Sequence, residues 1–344
     1  MSTALITGIT GQDGVLLARS LARDGVQVFG LTRPPAPGRS RTPGALDIGA
    51  PVTILERDVA SIDDALAILD KVQPDQIFNL AAQSSVAGAN AAVLPAIQAN
   101  ALAPAIWLEA LRSGGGACRF QQASSGEVFG SDPGTRNEFS AFAPANIYGA
   151  TKAFAQQMCD IYSRSFGIHA SSAILFAHES PLRNENFLTR KVTRGLARIK
   201  AGLQDDLSLG NLDARRDWGA AADYVEGMRL AISAPAPGAY VFATGEARSV
   251  RNFVNAAATA LGFELDWTGQ GDRETAIDRA TGRPIVKVDP QFYRPVDPGT
   301  LVGDPTKAEQ ELGWRRKFSF QDIVAEMAQS DLSQAHAEAR SMLR

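Results

Sequence analysis

Six short apolar runs, each bounded by turn residues, recur through the first half of this chain: Ala4–Thr7, Val26–Leu31, Val52–Leu55, Ile77–Leu80, Phe120–Ser124 and Ser172–Phe176. Helical stretches at about residues 14–24, 61–71, 93–112 and 148–166 separate them. Apolar runs of this length suit strands buried on both faces, and strands that alternate with helices pair in parallel through crossovers. The alternation predicts an α/β fold built on a doubly wound parallel sheet. After about residue 176 it breaks down into polar, arginine-rich stretches such as Glu179–Glu185 and Asn211–Asp217. A strand near Tyr240–Ala243 and a helix near Val250–Leu261 are expected to return to the sheet. The organisation predicted is therefore a cofactor domain over 1–176 plus about 219–261. A smaller, discontinuous α/β substrate-binding domain takes about 177–218 and 262–344.

With 344 residues, 45% of them hydrophobic, the chain can bury a large core. Its 34 basic and 37 acidic residues leave a net charge of -3, which offers no long-range positive field for nucleic acid or an anionic membrane. Cys118 and Cys159 lie far apart, outside any metal-ligand spacing, which argues for a reducing, cytoplasmic setting and against a metal site. The amino terminus runs straight into a strand-like segment, and no segment reaches membrane-spanning length, so neither export nor embedding is expected.

Gly8, Ile9, Thr10, Gly11, Gln12, Asp13 and Gly14 link the first strand to the first helix. A glycine cluster alone is equally a tight turn. At this position it reads as a Rossmann-type turn, because backbone amides at a helix amino terminus face a dinucleotide pyrophosphate. The second strand ends in Arg33, with Arg39 and Arg41 soon after, where an NAD-preferring protein carries an acidic residue. A guanidinium matches a 2′-phosphate, so NADP is expected, with solvated loop arginines as the alternative. Asp58 and Val59 follow the third strand toward the adenine. Leu80, Ala81, Ala82, Gln83 and Ser84 follow the fourth, along the dinucleotide. The proline-rich piece Pro34–Gly44 reads as a cofactor-side loop.

Tyr148 and Lys152 stand four residues apart, which stacks them on one helix face. A phenol titrates near pH ~10, and a neighbouring ammonium together with a nicotinamide cation favours the phenolate, making Tyr148 a usable base. Ser124-Ser125-Gly126-Glu127 after the fifth strand adds hydroxyls and a carboxylate.

The segments Gln122–Gly130, Ile174–Pro181, Phe187–Lys191, Leu209–Gly219 and Gly303–Lys307 resemble, in order, signatures of the GDP-mannose 4,6-dehydratases. These are extended short-chain dehydrogenase/reductases, and the resemblance covers nearly the whole chain. It implies that Tyr148 removes the C4 hydroxyl proton of a GDP-sugar, Lys152 orients cofactor and tyrosine, and Ser125 hydrogen-bonds the hydroxyl. Glu127 then acts as base at C5 and helps expel the C6 hydroxyl. It further implies that His178 and Arg183 touch NADP, and that Ser84 and Ser85 lie along the substrate. Leu188 and Lys191 go to the guanine, Arg216 and Arg294 to the diphosphate, and Asp297 near the nucleoside. Without the family, Arg215-Arg216-Asp217 reads equally as a surface charge cluster.

Ala177 stands where the family has asparagine, Ser85 where it has histidine, and Pro95 where it has tyrosine. The resemblance implies GDP-mannose going to GDP-4-keto-6-deoxymannose, and these changes leave hexose or heptose open. A homo-oligomer is expected: a dimer through the helices near 93–112 and 148–166, with a tetramer as the alternative. A GDP-4-keto-6-deoxy-sugar reductase is the competing enzyme reading, since it needs Tyr148 and Lys152 but not Glu127. A non-catalytic NADP-binding protein is the third.

Overall fold

A computed structural model of the chain describes residues 2–34, 48–114, 117–293 and 299–342. Most of the proline-rich piece, from Pro35 to Gly44 and including Arg39 and Arg41, lies outside them, as do Arg294 and Asp297.

The apolar runs form a seven-stranded sheet from β1 (Thr3–Thr7), β2 (Gln27–Thr32), β3 (Thr53–Glu56), β4 (Gln76–Asn79), β5 (Arg119–Ser125), β6 (Ala170–Leu175) and β7 (Ala239–Phe242). The strand order is β7-β6-β5-β4-β1-β2-β3, and every pairing is parallel. Successive side chains point to opposite faces, which sorts each run into two cores. Ala4 and Ile6 pack with Phe78 against α1 (Gln12–Arg23). Leu5 packs with Ile77 and Phe120 beneath α2 (Ile62–Val72), α3 (Ala103–Gly114) and α4 (Ile147–Phe166). The direction of winding reverses between β1 and β4, and the crevice at their carboxyl ends is where a fold of this kind takes its ligand.

The stretch expected as one helix over 93–112 is interrupted. A helix at Val93–Ile97 passes through a π turn, Gln98–Leu102, before α3 begins. Pro104, in the first turn of α3, has no N–H to donate to the preceding turn, which favours a local change of helix period there.

A second core gathers α5 (Leu188–Lys200), α7 (Val250–Ala260) and α8 (Phe320–Met342) around a four-stranded sheet of Leu207–Leu209, Leu265–Thr268, Thr275–Asp278 and Pro284–Val288. The helix expected to return to the parallel sheet, α7, belongs here instead. Its face of Val250, Phe253, Val254 and Ala257 packs with Trp218 and α5, and Phe253 meets Phe320 edge-on with 5.9 Å between ring centroids. Helical periodicity shows that a face is buried but not against which neighbour. The larger core is instead reached by α6 (Ala221–Ser233) and, late in the chain, by Trp314. That indole meets Tyr224 and Phe242 and donates Nε1–H to the Asp223 carbonyl at 2.8 Å. Among the described residues, no helix is long and apolar enough to cross a membrane.

Within the second core, a buried ion pair anchors the loop that enters α5. Arg190 on α5 meets Asp331 on α8 at 2.7 Å, with side chains 7% and 1% exposed, and Thr193 donates to the same carboxylate at 2.6 Å. Arg190 also donates to the carbonyls of Pro181 and Arg183, which fixes the loop entering α5. Replacing Asp331 with alanine is expected to lower the free energy of unfolding by about 3–5 kcal/mol, because Arg190 would keep a buried charge without its partner. Denaturant unfolding checks this; a midpoint equal to that of the wild type would show that the pair carries no such load.

Candidate functional site

The site lies at the carboxyl ends of the strands and starts from a buried polar row. Thr7 Oγ1 donates to Asn79 at 2.8 Å, and Asn79 Nδ2 donates to Gln122 at 2.8 Å, linking β1, β4 and β5. Thr7 Oγ1 also accepts the backbone N–H groups of Leu80 and Ala81 at 3.1 and 3.0 Å. The loop after β4 is thereby drawn against the glycine turn. Gly8 sits at φ +69°, and a Cβ there would lie 2.8 Å from the amide nitrogen of Ala81, so both conformation and space call for glycine. Ile9 is wholly buried in the core, leaving Thr10 and Gly11 as the exposed part of the turn. The first turn of α1 has no side-chain cap, so its N–H groups remain available for an anion.

Gln12 and Asp13 are engaged by the chain itself. Gln12 donates to the His178 carbonyl at 3.1 Å and accepts from Ser180 at 2.8 Å. Asp13 Oδ2 lies 3.0 Å from Nε2 of His178, whose Nδ1 lies 2.7 Å from the Phe176 carbonyl. Acceptors at both ring nitrogens suit an imidazolium, which has two N–H donors. Burial opposes the charge on His178, but the Asp13 carboxylate outweighs it and raises the pKa above 6.5. Burial likewise opposes ionised Asp13, and His178 outweighs that, holding the carboxyl below 3.8. Arg183 continues the array: it pairs with buried Glu179 at 3.3 Å and stacks its guanidinium 3.6 Å from the Phe187 ring centroid. Thr189 on α5 donates to the same glutamate at 2.6 Å.

Asp58 follows β3 and accepts the backbone N–H of Val59 at 3.0 Å, while Arg33 is exposed where β2 ends. Gln83 and Ala82 lie partly buried along the crevice, and Ser84 is exposed. Asn100, a buried residue of the π turn, accepts Gln83 N–H at 2.8 Å and donates to Thr151 on α4 at 3.2 Å. Ser85 accepts the N–H of Gly88 at 3.0 Å, capping a short helix, Val86–Ala91.

The hydroxyls after β5 divide their tasks. Ser124 is buried and donates to Gln156 at 2.6 Å, whereas Ser125 accepts the Glu127 N–H at 3.2 Å and hydrogen-bonds Tyr148. Lys152 is buried and donates Nζ–H to the Ala123 carbonyl at 2.8 Å, with its nitrogen 5.8 Å from the Tyr148 ring centroid. Burial brings its pKa down to about 8. Burial pushes the Tyr148 phenol up to about 12, with the Ser125 hydrogen bond opposing; the expectation of a usable base counted on a nicotinamide cation as well as the ammonium. The chain brings Ser125, Glu127, Tyr148 and Lys152 to one place.

Farther out, Leu188 and Lys191 share the first turn of α5, where Lys191 Nζ lies 4.3 Å from the Phe292 ring centroid. Arg216 pairs with Arg248 across a two-residue ladder. Asp217 is not part of a surface charge cluster: it is 2% exposed and accepts the N–H groups of Thr244, Gly245 and Gly303. Sequence reading missed Thr7, Asn79, Asn100 and Asn146. Of these, Asn146 carried a usable signal, an asparagine directly before a helix and three residues ahead of the N–H it caps.

A glycine turn at the switch point, with Tyr148 and Lys152 on one helix face beside Ser125, defines the short-chain dehydrogenase/reductase class. Solved structures of that fold superpose over most of their length. The UDP-glucose 4-epimerase of Thermus thermophilus, complexed with NAD, gives a TM-score of 0.78 at 23% identity, over 96% of this chain and 98% of that one. The dTDP-glucose 4,6-dehydratase of Bacillus anthracis gives 0.77 at 16% identity, over 96% of each. Residues 5–327 match the family model described as GDP-mannose 4,6 dehydratase. The GDP-mannose 4,6-dehydratase of Sinorhizobium fredii is 42% identical over 338 residues, 96% of each chain. That of Vibrio cholerae is 38% identical over 356 residues, 98% of this chain and 95% of its own. This chain belongs to the GDP-mannose 4,6-dehydratase family.

The two members of the ion pair respond oppositely to pH. The His178 contribution is fully present below 6.5 and is lost as pH rises through the raised folded value; that of Asp13 is fully present above 3.8 and is lost on acidification. Their joint stabilisation is thus greatest between those values. By NMR, His178 is expected to titrate above 6.5 in the wild type and lower in Asp13→Asn; a midpoint below 6.5 in the wild type contradicts the pairing.

Proposed function

We propose that this chain is an NADP-dependent GDP-mannose 4,6-dehydratase, a hydro-lyase forming GDP-4-keto-6-deoxymannose. The observation that carries the reading is Glu127, a carboxylate held beside Ser125 and Tyr148 by a hydrogen bond from Asn146 at 2.8 Å. A reductase of a 4-keto sugar has no use for a base at that place. The uncapped turn Gly8–Gly14, with Leu80–Ser84, suits a dinucleotide, and exposed Arg33 suits a 2′-phosphate. Asp58 and Val59 border the adenine, and His178 and Arg183 touch the cofactor. Leu188 and Lys191 take the guanine, Arg216, Arg294 and Asp297 the diphosphate and nucleoside, and Ser84 and Ser85 the sugar side.

A bound nicotinamide would supply a cation near Tyr148 and a store for the hydride taken from C4. Tyr148 takes the proton of the C4 hydroxyl, which Ser125 orients. Lys152 holds its ammonium next to the phenol and against Ala123. The ketone formed at C4 acidifies the C5 hydrogen. Glu127 removes that proton and then delivers one to the departing C6 hydroxyl, so that water leaves and a C5–C6 double bond remains. The hydride would return to C6, and C5 would regain a proton equivalent to the one that Tyr148 took from the C4 hydroxyl, so the phenol also ends as it began. The carboxylate ends as it began, and no net oxidation occurs.

Exposed apolar side chains recur along the Val93–Leu102 stretch, at Leu94, Ile97 and Leu102, and on α4 at Phe154 and Ile161. They support a homodimer through these helices. Light scattering is expected to give twice 36.5 kDa; a monomer at micromolar concentration rejects the dimer.

Incubation with GDP-mannose and NADP is expected to yield a product lighter by one water without net NADPH. Glu127→Gln should lower that turnover about 10²- to 10⁴-fold while reduced nicotinamide builds up on the protein. Wild-type turnover in the variant would exclude Glu127 as the base, and equal use of NAD would remove the case for NADP.

A further inference from the structure

Asn146 sits directly before α4 in extended backbone conformation, φ -149° and ψ 166°. Its Oδ1 accepts the N–H of Gly149 at 2.8 Å, capping the helix that carries Tyr148 and Lys152. That bond fixes which way the amide faces: with oxygen committed to the helix, the nitrogen is the end turned to Glu127. Nδ2 donates to Glu127 Oε2 at 2.8 Å. The reverse orientation would set an oxygen against a carboxylate and leave the helix amide uncapped.

The two backbones are also pressed together. Glu127 lies in the short turn Gly126–Phe129 after β5, and a Cβ on Gly149 would fall 2.4 Å from its carbonyl oxygen. Glycine at 149 therefore lets the turn bearing Glu127 rest on the first turn of α4. Asn146 is the side chain that bridges this contact.

We propose that Asn146 is a positioning residue for Glu127, holding one carboxylate oxygen so that the other is presented to the sugar. The proposal rests on Glu127 being the base for water loss. A charged acceptor makes this a strong hydrogen bond, and its anchor is rigid because the same amide is locked to the helix. The bridge sets the carboxylate relative to Tyr148, so the second proton transfer is registered on the helix that performs the first.

Serine at 146 separates the two tasks, since it caps helices well but has no donor that reaches Glu127 from the cap. Asn146→Ser is expected to keep the wild-type unfolding midpoint and KM. Its kcat should fall about 10- to 100-fold, the range for losing a hydrogen bond to a charged group. Reduced nicotinamide should build up on the protein during turnover, because oxidation at C4 continues while elimination slows. Asn146→Ala should add a loss of stability to the same kinetic defect. Wild-type kcat in Asn146→Ser, or a fall in kcat without reduced nicotinamide, would overturn the proposal. Glu127→Gln tells the two failures apart: inactive beside a normal Asn146→Ser, it leaves Glu127 as base and removes only the positioning role, whereas wild-type turnover in both removes the base itself.

Discussion

Three side chains, at the carboxyl ends of β1 and β4 and midway along β5, set the height of the loops above the sheet. Thr7, Asn79 and Gln122 are buried and satisfy one another in a row, and an unpaired member would carry the full cost of desolvation. Because Thr7 also takes the amides of Leu80 and Ala81, the loop after β4 cannot drift from the glycine turn. Gln122 in turn donates to the Ala123 carbonyl, the oxygen that receives Lys152. One polar row thus fixes the cofactor turn and the floor beneath Tyr148 in a common frame.

On that frame the site is arranged as pairs of charges that neutralise each other rather than as isolated ions. Asp13 would place a negative charge at the helix end where a pyrophosphate is expected, and His178 offsets it. Glu179 is answered by Arg183. Lys152 differs from these: it is buried with a carbonyl for its partner, and burial weakens its ammonium. A buried cation of that kind is well placed to respond to a proton leaving the neighbouring phenol.

The sheet was legible because apolar runs and turn residues repeat along the chain, and parallel pairing follows from the crossovers between them. Gly8, Tyr148 and Lys152 were legible because spacing alone carries their geometry. The fate of α7 was not, since Phe253 and Val254 would look the same under either core. Nor was the basicity of Tyr148, which depends on burial that no local pattern reports. Ser124 and Ser125 are neighbours of identical type, and their division of labour appears once Gln156 is seen to claim the first. Asn100 owes its reach to a helix irregularity, and Asn146 joins two segments that lie 19 residues apart.

The ion pair between Arg190 and Asp331 joins residues 141 positions apart. During synthesis the strands from β1 to β6, and the helices between them, are complete long before residue 331 leaves the ribosome. Until then Arg190 has no anion to accompany it into the interior, and the loop it fixes through Pro181 and Arg183 lacks its anchor. The order of translation therefore makes the seating of this loop a late event, one that waits on α8.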